Sequence, residues 1–151
     1  MAQPPNLKDI RTLVVDDEFS VRAVLRKTLA DWGADVTEAD AGARGIAELT
    51  RARDAGSPFQ LIFVDSTMNL TDGFEVVERL KPHPQEFQRA VLMIGPEQMT
   101  KEVPRARALG AVYVSKPLTR PAIVGAIATV LGIREEASEP APKPGQRRRL
   151  R

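Results

Sequence analysis

Three carboxylates stand directly behind two hydrophobic runs: Asp16 and Asp17 follow Leu13-Val14-Val15, and Asp65 follows Leu61-Ile62-Phe63-Val64. If the two runs are neighbouring parallel strands, their C-terminal ends share one edge of a sheet, the edge where open α/β folds bind ligands. The three acids then converge outside it. Clustered carboxylates repel one another, so the chemistry they suggest is capture of a divalent cation. The donor set is all oxygen in a chain with no Cys and a single His, which favours Mg²⁺ over zinc. Taken alone, Asp16-Asp17 is as easily charge placed at the N-terminus of the next helix, and only the joint placement with Asp65 points to a site.

The elements that must position these acids are legible as hydrophobic periodicity. Arg11–Val15 reads as a strand. From Ser20 to about Trp32, Val21, Val24, Leu25 and Leu29 recur at helical spacing, and Gly33 stops the helix. The half-polar run Asp35–Ala39 is an outer strand, and Ala41 to about Arg53 a second helix. Leu61–Val64 is a third strand. Asp72-Gly73 leads into a helix from Phe74 to about Lys81, which Pro82 and Pro84 terminate. Ala90–Ile94 and Ala111–Ser115 are the fourth and fifth strands, and Thr119 caps a last helix to about Leu131. Strands alternating with helices mean βαβ units and a parallel sheet covered on both faces. Among right-handed topologies, the flavodoxin-like doubly wound (βα)5 order 2-1-3-4-5 puts strands 1 and 3 side by side, as the acids require.

With these residues in place, residues 9–132 resemble the receiver domain of two-component response regulators. The resemblance is carried by Asp16-Asp17 after strand 1, by Asp65-Ser66-Thr67-Met68 with Asp72-Gly73 after strand 3, and by Lys116-Pro117 after strand 5. It implies that Asp65 accepts a phosphoryl group from phosphohistidine, and that Asp16, Asp17, Asp65 and the backbone carbonyl of Thr67 hold Mg²⁺. It also implies that Lys116 pairs with Asp65 at rest and with the phosphoryl group afterwards, and that Pro117, after a cis peptide, orients Lys116. Such a chain is not an enzyme in the ordinary sense but a phosphoacceptor that assists its own phosphorylation and dephosphorylation. Its partners would be a histidine kinase or histidine phosphotransfer protein, and a downstream protein or second copy at the helix 4–strand 5–helix 5 face. The alternative is a pseudo-receiver, a protein-interaction module that works without phosphorylation.

Departures from the resemblance shape that expectation. Strand 4 runs into Gly95-Pro96 where receivers carry Thr or Ser. One missing hydrogen bond to a charged group costs on the order of 1.5–3 kcal/mol, and the hydroxyl's movement is what normally lets the strand-5 aromatic, here Tyr113, rotate inward. Pro104 lies in the helix before strand 5 and predicts a late start or a kink. Asn69 replaces a usual Pro and loosens the acceptor loop.

Length and composition fit one core: 151 residues, 42% hydrophobic. No run approaches the roughly 18 apolar residues of a membrane span, and residues 1–8 read as a short N-terminal extension without signal-peptide character, so a cytoplasmic location is expected. The net charge of +2 is uneven, with +3 in residues 134–151 and −1 in the rest. Segment 133–151, rich in Pro and Arg, cannot repay the entropy of folding and reads as a disordered tail. No folded reader or aromatic platform accompanies its arginines, so nucleic acid is not expected as a partner. The single His83, between two prolines, reads as an exposed loop residue, and Met68, Met93 and Met99 as packing residues.

Overall fold

A computed structural model of the protein describes residues 2–133 and 136–137. Most of the segment read as a disordered tail (134, 135 and 138–151) lies outside the described residues. Five strands form one parallel sheet: β1 Arg11–Val15, β2 Asp35–Ala39, β3 Leu61–Asp65, β4 Ala90–Ile94 and β5 Val112–Ser115. Their order is β2-β1-β3-β4-β5, the doubly wound order expected. The sequences explain the ranks. β3 (LIFVD) and β4 (AVLMI) are apolar on both faces but for the terminal Asp65 and are buried throughout, as internal strands covered on both sides must be. The half-polar β2 takes one edge, and β5, half-buried until Ser115, takes the other.

Alternation along the strands divides the core into two layers. On one face Leu13, Val15, Ile62, Val64, Leu92 and Ile94 pack with Leu49, Phe74, Val77 and Ala106, which belong to α2 (Gly42–Asp54), α3 (Gly73–Glu78) and α5 (Met99–Leu109). On the other, Val14, Phe63, Val91 and Met93 pack with Leu25 and Leu29 of α1 (Phe19–Asp31) and Ile123 and Ile127 of α6 (Arg120–Leu131). Each fully buried side chain of this size contributes roughly 1.5–3 kcal/mol, so this layered burial is what holds the strand ends in register.

Several expectations are corrected. Val24 is 64% exposed, because the buried stripe of α1 runs through Leu25 and Leu29 while Val24 flanks it and lines a cleft with Pro117 and Leu118. The third helix ends at Glu78, short of the expected Lys81, and a turn carries the chain past Pro82; Pro84 then opens a further short helix, α4 (Pro84–Phe87), since its fixed φ suits a first turn. That turn is seated by Glu86, nearly buried and bonded to Arg53 at 2.9 Å, and His83 at its N-cap is half-buried rather than exposed. A 3₁₀ turn, Pro96–Gln98, precedes α5, and α5 continues through Pro104 without breaking. The carbonyl of Thr100 therefore has no Pro104 N–H to accept. β5 starts at Val112, one residue later than expected.

Residues of the N-terminal extension are tied to the domain. Leu7 is fully buried in the second layer and its N–H donates to the Trp32 carbonyl at 2.8 Å. Gly33, at φ 104°, lets the chain pass there, because a Cβ would lie 2.9 Å from the Lys8 nitrogen. Ala2–Gln3 pairs antiparallel with Glu136–Ala137, so these two residues of the expected disordered tail form a strand. Among the described residues no helix is long and apolar enough to cross a membrane.

Candidate functional site

Register brings the three acids together. β1 and β3 are adjacent, with Val15 opposite Val64, so Asp16 and Asp65 leave the sheet side by side. One carboxylate oxygen from each of Asp16, Asp17 and Asp65 lies within 4.8 Å of the others. Asp16 is fully buried and Asp65 nearly so, while Asp17 is exposed. This fits a hard, oxygen-preferring cation: two buried anions supply charge, and the open side at Asp17 leaves room for the waters that Mg²⁺ retains.

β4 and β5 bring the lysine. Ile94 pairs with Ser115, and the Lys116 N–H donates to the Ile94 carbonyl at 2.8 Å, which holds the chain at the sheet edge. The Lys116 ammonium donates to Asp16 Oδ2 at 3.0 Å and to Asp65 Oδ1 at 3.2 Å. The Lys116–Pro117 peptide is cis, as expected. Asp16 is held twice over, since its Oδ1 accepts from the Glu18 N–H at 2.9 Å and its backbone carbonyl accepts from Arg22 at 2.8 Å.

These surroundings set the charge state of the site. Burial, together with the negative charge of Asp16, pushes the Asp65 carboxyl up to about 6, against the pull of Lys116. At neutral pH it is still mostly ionised, and its charge is held at a cost in free energy. Burial works against the charge on Lys116, but its hydrogen bond to Asp16 and the charges of Asp65 and Asp16 outweigh that and raise its pKa.

The segment after Asp65 is shaped by close packing. Asp72 caps α3 by accepting from the Glu75 N–H at 2.9 Å. At Gly73 a Cβ would overlap the Asp65 carbonyl oxygen, so only glycine lets α3 come this near the strand end. Leu70, in the same loop, is fully exposed at φ 67°.

The remaining predicted residues are placed less centrally. Gly95 ends β4 with extended backbone (φ −70°, ψ 157°), and an added Cβ would meet only Glu97 Oε1, at 3.7 Å. Tyr113 is half-buried against the first core layer, and its hydroxyl accepts from Arg107 at 3.2 Å. The Thr67 hydroxyl turns away from the acids to donate to Glu102 Oε2 at 3.3 Å. Sequence reasoning missed Glu102. It also receives the Ser66 hydroxyl, at 2.6 Å, across a 36-residue separation. An acid in the first turn of α5 was visible in the sequence, but first-turn acids are common at helix N-termini, and only the packing of α5 against the loop after β3 shows its partner.

Comparison with known proteins agrees with this geometry. Residues 12–128 match the response regulator receiver domain family. A two-component response regulator of rice, ORR41, is 31% identical over 115 residues, 75% of this chain and 87% of that one. The chemotaxis response regulator CheY4 of Vibrio cholerae superposes with a TM-score of 0.69 at 27% identity, covering 82% of this chain and 100% of the other. The receiver domain of the histidine kinase CKI1 from Arabidopsis thaliana, solved in complex with Mg²⁺ and BeF₃⁻, gives 0.64 at 24% identity, over 81% and 92% of the two chains. Strand order, the converging acids, the lysine on its cis-proline turn and this match over most of the sequence lead to one assignment: the chain belongs to the response regulator receiver domain family of two-component signalling.

Proposed function

We propose that the protein accepts a phosphoryl group on Asp65 from a phosphohistidine of a histidine kinase or phosphotransfer protein, in a Mg²⁺-dependent phosphorelay. The observation that carries this reading is the Lys116 ammonium bonded at once to Asp16 and Asp65 within the acid cluster. An Asp65 oxygen attacks phosphorus, the P–N bond of the donor breaks, the imidazole leaves and takes up a proton, and an acyl phosphate remains. Asp65 approaches an anionic group, so it needs compensating positive charge. Lys116 provides it: as Asp65 becomes an acyl phosphate and loses its carboxylate charge, the ammonium turns from Asp65 to a phosphoryl oxygen while still tied to buried Asp16. Asp16, Asp17, Asp65 and the Thr67 carbonyl would hold Mg²⁺, which when bound supplies Lewis-acid neutralisation of the phosphoryl oxygens. The Mg²⁺ and BeF₃⁻ in the Arabidopsis receiver support that assignment. Pro117 fixes the direction from which Lys116 enters.

Gly95 brings no hydroxyl to the phosphoryl group, so that group takes its remaining hydrogen bonds from backbone N–H groups or water, and Tyr113 has no departing hydroxyl to follow. We infer an atypical readout at the α5–β5–α6 face, toward a downstream protein or a second copy. Incubation with Mg²⁺ and phosphoramidate, read by intact mass, tests acceptance: wild type gains one phosphoryl mass and Asp65→Asn gains none. No gain from phosphoramidate or from a phosphorylated histidine kinase would favour the second reading, a pseudo-receiver, for which Gly95 is the specific observation.

A further inference from the structure

The acceptor loop is tied directly to α5 by side chains that the phosphotransfer chemistry leaves unused. Ser66 and Thr67, the two residues after Asp65, both donate to the Glu102 carboxylate, at 2.6 and 3.3 Å. Ser66 is 1% exposed, so its hydroxyl has little access to solvent as an alternative partner. One turn along the same helix face, Arg105 lies 3.9 Å from Asp72 and stacks 4.1 Å over the Phe74 ring, a second tie to the end of the same loop. Between the two ties sits Pro104, which removes one backbone bond of α5. The usual route from the site to this face is missing, since Gly95 has no hydroxyl and the Tyr113 hydroxyl is held at 3.2 Å by Arg107 of α5.

We propose that Glu102 is the coupling residue of the switch: its carboxylate latches α5 to the acceptor loop in the resting state, and a phosphoryl group on Asp65 repels it and frees the helix. The inference rests on the phosphoacceptor reading above. Transfer converts a singly charged carboxylate into a dianionic acyl phosphate. Ser66 is one peptide from Asp65, which puts Glu102, bonded to Ser66, well inside the roughly 8–10 Å Debye length of that new charge. Lys116 bridges Asp65 to Asp16, whereas among the described residues Glu102 bonds to the hydroxyls of Ser66 and Thr67 and to no cation. Repulsion acts on Glu102 and not on Arg105, whose attraction to Asp72 persists, so α5 loosens about its N-terminal half while staying docked at Phe74.

Hydrogen exchange of the 99–109 segment, with intact mass measured on the same samples, tests this. On treatment with Mg²⁺ and phosphoramidate, wild type should gain a phosphoryl group and exchange α5 amides faster, on the order of tenfold, the scale of one lost hydrogen bond to a charged group. Glu102→Gln keeps an acceptor for Ser66, offers Thr67 an amide N–H in place of the acceptor it now has, and carries no charge. It should take up the phosphoryl group with α5 exchange unchanged. Glu102→Ala should exchange fast without phosphorylation. A wild-type mass gain with no change in α5 exchange overturns the latch alone, as does a Glu102→Gln response equal to wild type. Absence of any mass gain overturns the latch together with the phosphoacceptor reading. If Glu102→Ala fails to fold, the Glu102→Gln comparison decides.

Discussion

Ionised Asp65 is held in the metal-free protein against burial and against Asp16, and that cost is measurable as pH-dependent stability. Its carboxyl titrates at about 6 in the fold, against 3.8 for an unperturbed aspartate. Between those values the folded protein binds more protons than the unfolded chain, so stability falls as pH rises from about 4 through about 6 and then levels off. A gap of about two pH units, at about 1.36 kcal/mol each, amounts to about 3 kcal/mol. Asp65→Asn, neutral at every pH, mimics the protonated carboxyl and escapes the loss. In EDTA at pH 7.5 it should be more stable than wild type by about 3 kcal/mol, or about 6–12 °C in Tm for a domain of this size. At pH 4 the two should melt together. The assay is urea denaturation at several pH values with and without Mg²⁺, which narrows the gap at pH 7.5 by stabilising wild type more. An Asn variant no more stable than wild type at pH 7.5, or one whose advantage does not vary with pH, would refute the electrostatic account of the site.

Other substitutions probe the neighbours. Lys116→Met leaves buried Asp16 Oδ2 without its ammonium and should cost about 3 kcal/mol at pH 7.5 in EDTA, together with slower phosphoryl uptake by intact mass. Gly73→Ala drives a Cβ into the Asp65 carbonyl and should destabilise by about 1–3 kcal/mol in urea melts while slowing uptake; a change below about 0.5 kcal/mol would mean that the α3 contact is looser than described. Gly95→Thr has space and an ordinary extended backbone, so it should fold as wild type and accept phosphoryl groups faster, while unchanged uptake would show the hydroxyl to be replaced elsewhere. Leu70→Gly loses no packing and relieves a left-handed leucine, for a net gain of about 1 kcal/mol by thermal melting.

The strand pattern, the sheet order and the converging acids were legible because each rests on local signals: apolar runs of four or five residues, breaks at Gly and Pro, and carboxylates at run ends. The boundaries drawn for β1, β2 and β4 match those of the fold. Parallel pairing follows from the alternation with helices, and pairing β1 with β3 suffices to place Asp16 beside Asp65. Proline was read less well, since one residue breaks, starts or merely weakens a helix according to what packs beside it. Pro84 opens α4, where Glu86 buries itself on Arg53, and Pro104 is carried within α5, which packs on the core through Ala106 and bonds the loop after β3 through Glu102.

What the sequence determined by itself is therefore the inventory and the order: three acids and a lysine, each at a strand end, in a chain that winds as a receiver. Tertiary structure decided the energetics. Burial of Asp16 and Asp65 makes the charge on Asp65 costly and gives Lys116 two partners, and the approach of α5 turns Ser66, Thr67 and Glu102 into one contact. Those depend on depth and on long-range proximity, which periodicity along the chain does not encode, because hydroxyl and carboxylate lie dozens of residues apart and meet only when the sheet brings α5 beside the end of β3.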